Sequence, residues 1–417
     1  MVERLLVVED SKPIATVIKQ IAKALKYEVT IATTLAQVEE ILQGDTEFFA
    51  ATIDYSLPDA ANGEAIDCVL SHGIPGVVLT GKMDEETRQK ILSLPVIDYI
   101  PKENSQAFLY LKRVLHWQKT NQSNGVLVVD DSSSARNHVV ELLKRRNFSV
   151  FVANNGVQAL EKLAQHPEIK MVITDLEMPE MDGIELTNEI RKRYSRERLA
   201  VIGISGANNG VHSARFIKNG ADDFLRKPFC PEEFYCRITQ NIENLHNIAR
   251  IQKAANTDYL TDLANRRSFF HDAQLKILEF AKQHKSYCLA MLDLDHFKKV
   301  NDNYGHDTGD QVLKVVALYM RKHFGAGLTA RLGGEEFAIL ISGVDEDHLY
   351  TKLDDFRRDI SVSTIPVGNE HISISVSLGA IFDSRESFSK QISEADNALY
   401  FAKENGRNQI AVAGASD

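Results

Sequence analysis

The first 250 or so residues alternate short apolar runs with segments of helical periodicity, and the same alternation occurs twice. The runs Leu5–Val8 and Val126–Val129 each end in an acidic pair and lead into an amphipathic segment. Strands that alternate with helices predict a doubly wound parallel sheet, whose functional residues lie beyond the carboxyl ends of the strands. We therefore predict two tandem α/β domains, at residues 1–120 and 125–245.

The polar residues at the ends of these predicted strands are of the same kinds and in the same order in both halves. They are Glu9, Asp10, Asp54, Thr80 and Lys102 in the first half, and Asp130, Asp131, Asp175, Ser205 and Lys227 in the second. Acidic clusters hold Mg²⁺, an aspartate can accept a phosphoryl group, and a hydroxyl and an ammonium group can bind its oxygens. Such acids can also simply cap helices, but capping does not explain two complete sets in the same order.

Both halves resemble the flavodoxin-like receiver domain of response regulators. The resemblance implies that Asp54 and Asp175 are phosphoacceptors and that each domain binds one Mg²⁺, with Glu177 as a further metal contact in the second. It also implies that a histidine kinase or phosphotransfer protein is a partner. The second half is the closer match, because it contains Asp175-Leu176-Glu177-Met178-Pro179 and Lys227-Pro228-Phe229, whereas Lys102 is followed by Glu103. An alternative is that one of the two domains only mediates dimerisation.

A segment without glycine follows the second half, from Pro231 to Asn256. Its apolar residues recur at helical spacing, which predicts one long helix that begins near Pro231. We expect its first half to pack on the second domain, residues 240–257 to form a stalk, and Glu243–Ala255 to pair with a partner chain. The apolar stripe consists of Phe234, Ile238, Ile242, Leu245 and Ile248.

Further along, two carboxylates follow a Gly333-Gly334 pair that separates the apolar runs Leu328–Leu332 and Phe337–Ile341. A Gly-Gly pair between such runs predicts a tight hairpin. Another apolar strand, Tyr287–Leu292, ends at Asp293, and a helix is predicted from about Gln311 to His323. A Gly-Gly-Glu-Glu sequence alone would indicate only an ordinary hairpin. A carboxylate at a strand end that faces carboxylates on a hairpin is, however, what a two-metal phosphoryl-transfer site needs.

Residues 256–417 resemble the GGDEF family of diguanylate cyclases, an α/β domain that condenses two GTP into cyclic di-GMP and two pyrophosphates. The resemblance implies two Mg²⁺ ions, with Mn²⁺ as an alternative, held by Asp293, the Leu294 carbonyl and Glu335. It also makes Glu335 the candidate general base, and Glu336 ranks second as a metal contact.

The same resemblance implies the substrate contacts. Asn301 and Asp310 match positions that bind guanine, and an amide and a carboxylate suit the edge of that base. His306 matches a substrate contact, with a structural role as an equal alternative, and Lys298, Lys403 and Arg407 match triphosphate contacts. Many members carry an Arg-x-x-Asp motif where product binds and inhibits; Phe324-Gly325-Ala326-Gly327 stands there instead, so we expect no product inhibition through that site.

The length, net charge and cysteine content of the chain exclude some classes of protein. A chain of 417 residues is long enough for two or three domains, and its net charge of −10 argues against a nucleic-acid-binding face. The four cysteines lack metal-ligand spacing, and we expect them to be reduced thiols. No apolar stretch approaches the roughly 20 residues of a membrane span, so we expect a cytoplasmic protein with no membrane partner.

Together these patterns predict a phosphorylation-regulated diguanylate cyclase that acts as a homodimer, because one site binds one GTP and the product needs two. A non-catalytic GTP-binding signalling adaptor is the main alternative, and the intact acidic set argues against it. A DNA-binding response regulator is disfavoured by the acidic charge. A cyclase with another base specificity is disfavoured by the Asn301 and Asp310 pair.

Overall fold

The first domain is built on a parallel sheet. The computed structural model describes residues 2–44, 47–81, 84–102, 105–206, 211–367 and 370–414. The strands of this sheet are β1 (Arg4–Val8), β2 (Glu28–Ala32), β3 (Ala50–Asp54), β4 (Gly76–Thr80) and β5 (Asp98–Pro101). They lie in the order β2-β1-β3-β4-β5, and β3 and β4 are buried throughout because helices cover both faces. The helices are α1 (Lys12–Ala24), α2 (Leu35–Leu42), α3 (Glu64–Ser71), α4 (Glu85–Ser93) and α5 (Ser105–Thr120).

The second domain repeats this topology. A short 3₁₀ helix at Asn121–Ser123 precedes it. Its strands are β6 (Gly125–Val129), β7 (Ser149–Ala153), β8 (Ile169–Asp175), β9 (Ala200–Ser205) and β10 (Asp223–Arg226), in the order β10-β9-β8-β6-β7. Its helices are α6 (Ser133–Arg145), α7 (Gly156–Gln165), α8 (Gly183–Arg193), α9 (Val211–Lys218) and α10 (Pro231–Asn256). The prediction of two doubly wound parallel sheets is confirmed.

The long helix α10 begins at Pro231, as its sequence predicts. Four residues of its apolar stripe, up to Leu245, are buried in the core of the second domain, whereas Ile248 is only half-buried and Ile251 is exposed. The first half therefore packs as expected. The pairing of the remainder with a partner chain stays a prediction.

A sheet of mixed direction forms the third domain. Its strands are β11 (Ala264–Asn265), β12 (Ser286–Leu294), β13 (Leu328–Gly333), β14 (Glu336–Gly343), β17 (Val376–Phe382) and β18 (Ile410–Val412), in the order β11-β13-β14-β12-β17-β18, and β15 (Thr364–Val367) and β16 (Glu370–Ser373) form a separate ribbon. The helices are α11 (Arg266–Gln283), α12 (Phe297–Tyr304), α13 (His306–Phe324), α14 (Glu346–Val362) and α15 (Phe388–Glu404). The central strand β12 pairs antiparallel with both β14 and β17.

Both faces of β12 are covered, which explains its unbroken apolar sequence. Cys288, Ala290 and Leu292 belong to the core cluster on one face, and Leu289 and Met291 belong to the cluster on the other. Alternate residues of a strand point to opposite faces, so a strand buried on both sides has no polar alternation.

The structure corrects the predicted start of the helix near Asp310. The predicted helix from about Gln311 begins five residues earlier, at His306, and α12 precedes it where no helix was predicted. Gly305, with φ 83°, separates the two helices. This backbone angle, which glycine adopts without cost, allows the chain to leave one helix and enter the next within a single residue.

By its internal contacts the chain divides into two compact units, Met1–Ile248 and Ala249–Asp417. The first unit contains both parallel sheets and the second contains the mixed sheet. Within the described residues, every helix is too short or too polar to cross a membrane.

Candidate functional site

The carboxyl end of β12 brings three of the predicted site residues together. Asp293 is buried and lies opposite Glu336 of β14 in the antiparallel register. Because residues opposed in this way project from the same face, the two carboxylates are neighbours. The Lys403 Nζ atom, from the last turns of α15, lies 2.8 Å from Asp293 Oδ2.

The predicted Gly-Gly hairpin is confirmed between β13 and β14. Gly333 and Gly334 have φ of 149° and 53°, and a Cβ atom added to either would meet nothing within 4 Å. The turn therefore requires glycine for its backbone angles and leaves open space above it. Glu335 follows directly and is half-buried, and its carbonyl accepts a 3.4 Å hydrogen bond from the Leu294 amide.

Arg331 fixes this hairpin, and its role was missed from the sequence. Its Nε and Nη2 atoms donate to the Gly334 carbonyl at 3.0 and 2.8 Å, and Nη1 lies 3.3 Å from both carboxylate oxygens of Asp258. Asp258 in turn accepts hydrogen bonds from the amide and hydroxyl of Thr261. The partners are far apart in the sequence, and no periodic pattern joins them.

Negative charge is concentrated at the end of β12. Burial raises the pKa of Asp293, the carboxylates of Glu336 and Asp295 raise it further, and Lys403 acts in the opposite direction. Burial also raises the pKa of Glu335, as does the neighbouring Asp293. A hard divalent cation with oxygen ligands would relieve this repulsion, so the donor set fits Mg²⁺.

The two predicted guanine contacts lie on successive helices. Asn301 is on α12 and Asp310 is on α13, and both are half-buried. The Asn301 side chain packs directly over Gly309, where an added Cβ atom would stand 2.0 Å from Asn301 Oδ1. Lys298 and His306, which are also predicted substrate contacts, are exposed on the same helices.

A second acidic residue near the site, Asp295, has a different environment from Asp293. Its Oδ1 accepts from the Ser377 hydroxyl at 2.7 Å, and its Oδ2 accepts from the Ser375 hydroxyl at 2.6 Å and from the Asn408 amide at 3.0 Å. These protein donors satisfy the buried carboxylate. They also connect β12 to the loop that contains Arg407, which is exposed.

The acidic pockets of the first two domains have the same arrangement of side chains, in which one lysine contacts two carboxylates. In the first, Lys102 Nζ lies 2.7 Å from Glu9 Oε2 and 2.5 Å from Asp54 Oδ2. In the second, Lys227 Nζ lies 2.9 Å from Asp130 Oδ2 and 2.6 Å from Asp175 Oδ1. The parallel strands place the predicted residues at one edge of each sheet, as their positions at strand ends require.

The hydroxyl-bearing residues belong to the same edges. Thr80 and Ser205 are buried at the ends of β4 and β9, and their carbonyls accept hydrogen bonds from the Lys102 and Lys227 amides at 2.8 and 3.0 Å. The Glu177 amide donates to Asp175 Oδ2 at 3.0 Å.

The carboxylates of the first pocket are the more tightly grouped. Across the described ranges, Glu9, Asp10 and Asp54 are the one group of three or more acidic, histidine or cysteine residues whose ligand atoms all lie within 4.8 Å of one another. Burial raises the pKa of Glu9 in this pocket and of Asp175 in the second. Both pockets therefore hold more negative charge than one lysine offsets, which fits a divalent cation in each.

The fold and the sites define a class of protein in which a phosphoacceptor-type domain precedes a GGDEF domain. The family model described as diguanylate cyclase, GGDEF domain matches residues 255–409, and that of the response regulator receiver domain matches residues 126–239. A crystal structure of a two-component system response regulator/GGDEF domain protein is 40% identical with a TM-score of 0.53, and the match covers 58% of this chain and 99% of that one. The chain belongs to the family of response regulators with a GGDEF domain.

Named relatives agree with this family. Response regulator PleD of Caulobacter vibrioides is 26% identical over 297 residues, which are 68% of this chain and 65% of PleD. Diguanylate cyclase VdcA of Vibrio cholerae is 34% identical over 247 residues, which are 57% of this chain and 64% of VdcA. Diguanylate cyclase DgcP of Pseudomonas aeruginosa is 37% identical over 164 residues, which are 39% of this chain and 24% of DgcP. The chain thus spans less than two thirds of the length of these three relatives.

Proposed function

We propose that the chain is a diguanylate cyclase, which joins two GTP molecules into cyclic di-GMP and releases two pyrophosphates. The observation that carries this proposal is the position of Asp293, opposite Glu336, beside the Gly333-Gly334 hairpin and 2.8 Å from Lys403. The relatives VdcA and DgcP, which are named diguanylate cyclases, support it.

In this proposal Asp293, Glu335 and the Leu294 carbonyl hold the metal, with Glu336 as a further contact. Two Mg²⁺ ions, or Mn²⁺ in their place, would neutralise charge on the phosphates and make the ribose 3′-hydroxyl more acidic. Glu335 accepts the proton of that hydroxyl as the general base.

The remaining residues bind and orient the nucleotide. Asp310 accepts from the N1–H and exocyclic amine of guanine, and Asn301 hydrogen-bonds the same base. The cations Lys298, Lys403 and Arg407 bind the triphosphate, and His306 is a further substrate contact. This positioning supplies much of the rate in phosphoryl transfer, which needs little covalent chemistry from the protein.

The active assembly in this proposal is a homodimer. One site binds one GTP, and each ribose 3′-hydroxyl must attack the α-phosphorus of the opposing GTP. Two third domains must therefore meet face to face. Pairing through the first two domains and the exposed part of α10 would bring them together.

Residues 1–120 are proposed as a second receiver domain. Their support is the sheet order shared with residues 125–245 and the equivalent contacts of Lys102 and Lys227. Asp54 and Asp175 accept a phosphoryl group from a histidine kinase or phosphotransfer protein, each with one Mg²⁺. The new charge changes how the domains pair and so controls the cyclase.

The cyclase is tested by product analysis after incubation of the full chain with GTP and Mg²⁺. We expect cyclic di-GMP from the wild type, and a loss of at least about a hundredfold in Glu335→Gln, which removes a metal ligand and base but keeps the shape. Glu386→Gln, an exposed glutamate elsewhere in the domain, serves as the control. GTP binding without product in the wild type would favour the adaptor instead.

Control by phosphorylation is tested with acetyl phosphate. Activation should be lost in Asp54→Asn, in Asp175→Asn, or in both, because an amide cannot accept the phosphoryl group. Asp67→Asn, at an exposed position of α3, should be activated like the wild type. Full activation of the double variant would contradict the mechanism.

A further inference from the structure

The loop that contains Arg407 has an unusual backbone. Gly406, Arg407 and Asn408 have φ of 111°, 64° and 44°, so three successive residues lie in the left-handed region. A residue with a Cβ atom disfavours this region for steric reasons, and both Arg407 and Asn408 have one. Such conformations persist where surrounding groups enforce them, and they are concentrated at functional sites.

Two charged residues hold this loop at Asn408. Asp295, after β12, accepts the Asn408 amide hydrogen bond at 3.0 Å. Arg357, on α14, donates through Nη1 to the Asn408 carbonyl at 3.0 Å and to its side-chain oxygen at 2.9 Å. Arg357 is itself oriented by Asp354, 2.7 Å away. The backbone amide of Asn408 is thus bound by Asp295, and its backbone carbonyl is bound by Arg357 of a different element.

The neighbour of Asn408 is the exposed cation of this loop. Arg407 donates its backbone amide to the Ala402 carbonyl at 3.1 Å, next to Lys403, whose ammonium group reaches Asp293. Its guanidinium makes no hydrogen bond with any residue that the structure describes. The loop therefore presents an exposed cation shortly after Lys403 in the chain and leaves it available for a ligand.

We propose that Asp295 and Arg357 are positioning residues, which hold Asn408 in the left-handed conformation so that Arg407 binds the triphosphate of GTP. The proposal rests on the cyclase function. It assigns a role to a buried carboxylate whose oxygens already accept hydrogen bonds from two hydroxyls and an amide. It also assigns a role to an arginine on a helix outside the catalytic motifs.

Steady-state kinetics of Arg357→Gln and Arg358→Gln form a matched comparison. Both arginines pair with Asp354, but only Arg357 contacts Asn408. We expect Arg357→Gln to raise KM for GTP about tenfold with a smaller change in kcat, since one charge-assisted hydrogen bond to bound nucleotide is weakened. Arg358→Gln should keep the wild-type KM.

A rescue experiment separates positioning from a general loss of structure. Asn408→Gly in the Arg357→Gln background should return KM toward the wild-type value, because glycine adopts the left-handed region without restraint. Asp295→Asn should also raise KM, since an amide matches the three donors less well, whereas Asp302→Asn, exposed on α12, should not.

The outcomes are distinct. Equal KM values for Arg357→Gln and Arg358→Gln overturn the inference, and so does a defect of Arg357→Gln that glycine at position 408 does not relieve. A wild type that forms no product refutes the cyclase function instead. In that case tripolyphosphate binding by calorimetry decides: weaker binding by Arg357→Gln than by Arg358→Gln supports the positioning role, and equal binding overturns it.

Discussion

The two aspartates at the end of β12 have the same side chain but different neighbours, and these neighbours determine what each carboxylate can do. Asp293 faces another carboxylate and one lysine, so negative charge remains for a cation to neutralise. Asp295, two residues later, accepts three hydrogen bonds from hydroxyls and an amide. The first is available for metal chemistry and the second is part of the framework.

Gly309, which lies against the proposed guanine contact Asn301, provides the prediction at this scale. Gly309→Ala should raise KM for GTP by about tenfold, because the new methyl group displaces the Asn301 amide 2.0 Å away and disturbs its proposed hydrogen bond to the base. The better helix propensity of alanine offsets about 1 kcal/mol of the cost of crowding Asn301 and Phe297, so the free energy of unfolding should fall by no more than about 2 kcal/mol. KM measurements and thermal unfolding curves check both points.

Lys314→Ala, at an exposed position of the same helix, is the control for Gly309→Ala. An unchanged KM of Gly309→Ala would show that Asn301 does not bind the base in this way.

At the scale of elements, the hairpin between β13 and β14 depends on a segment outside the sheet core. The Arg331 guanidinium bridges the Gly334 carbonyl and Asp258, and Asp258 is bound by Thr261. Burial raises the pKa of Asp258, but its hydrogen bonds from Thr261 and its proximity to Arg331 outweigh burial, and the net pKa lies below its ordinary value of 3.8.

This lowered pKa predicts how the hairpin responds to acid. A carboxylate with a depressed folded-state pKa stabilises the fold above its unfolded pKa, and this stabilisation is lost as the pH falls through the folded value. Asp258→Asn should therefore speed hydrogen exchange of the hairpin amides at about pH 7, and the difference from the wild type should shrink at about pH 3.

The intrinsic exchange rate of an amide changes with pH. The variant is therefore compared with the wild type at the same pH, where this rate is the same for both. Asp262→Asn removes an exposed ion pair with Lys253 and should change little, because exposed pairs contribute little. A difference between Asp258→Asn and the wild type that persists undiminished in acid would contradict the assignment.

At the scale of the whole molecule, the first two domains form one compact unit joined by buried charge. Arg146, of the second domain, is buried and lies 2.6 Å from Asp98 at the start of β5. It also donates to the Ile97 carbonyl at 3.1 Å, and its guanidinium lies 4.2 Å above the Tyr235 ring. Asp98 receives a further hydrogen bond from the Tyr110 hydroxyl.

Loss of Arg146 should therefore destabilise this unit. Removing one partner of a buried ion pair leaves an uncompensated charge and costs about 3–5 kcal/mol, so Arg146→Ala should lower the free energy of unfolding by that amount. Trp117, the single tryptophan of the chain, lines the cavity between these two domains, and its fluorescence during urea unfolding reports the change.

Arg145→Ala is the matched control for Arg146→Ala, because Arg145 is half-buried and donates a hydrogen bond of 3.5 Å to the Leu94 carbonyl. Its substitution should cost less than about 1 kcal/mol. Equal effects of the two substitutions would show that the pair with Asp98 does not hold the domains together.

The sequence by itself determined the features that depend on neighbours along the chain. Period-two and period-3.6 patterns indicated the strands and helices, the repeated acids and lysines marked the strand ends, and Gly333-Gly334 indicated the hairpin. In a parallel sheet, strand ends share one edge, so Asp54 and Lys102, or Asp175 and Lys227, could be expected to meet before any contact was known.

The tertiary structure alone decided which distant side chains form pairs. Arg331 with Asp258, Arg357 with Asn408 and Arg146 with Asp98 belong to different elements, and no local pattern relates them. The early start of α13 likewise depends on Gly305 and on packing against α12. The periodicity of apolar residues in the sequence indicates whether a side chain faces a core. The polar partner of a side chain, however, is determined only when separate elements pack together.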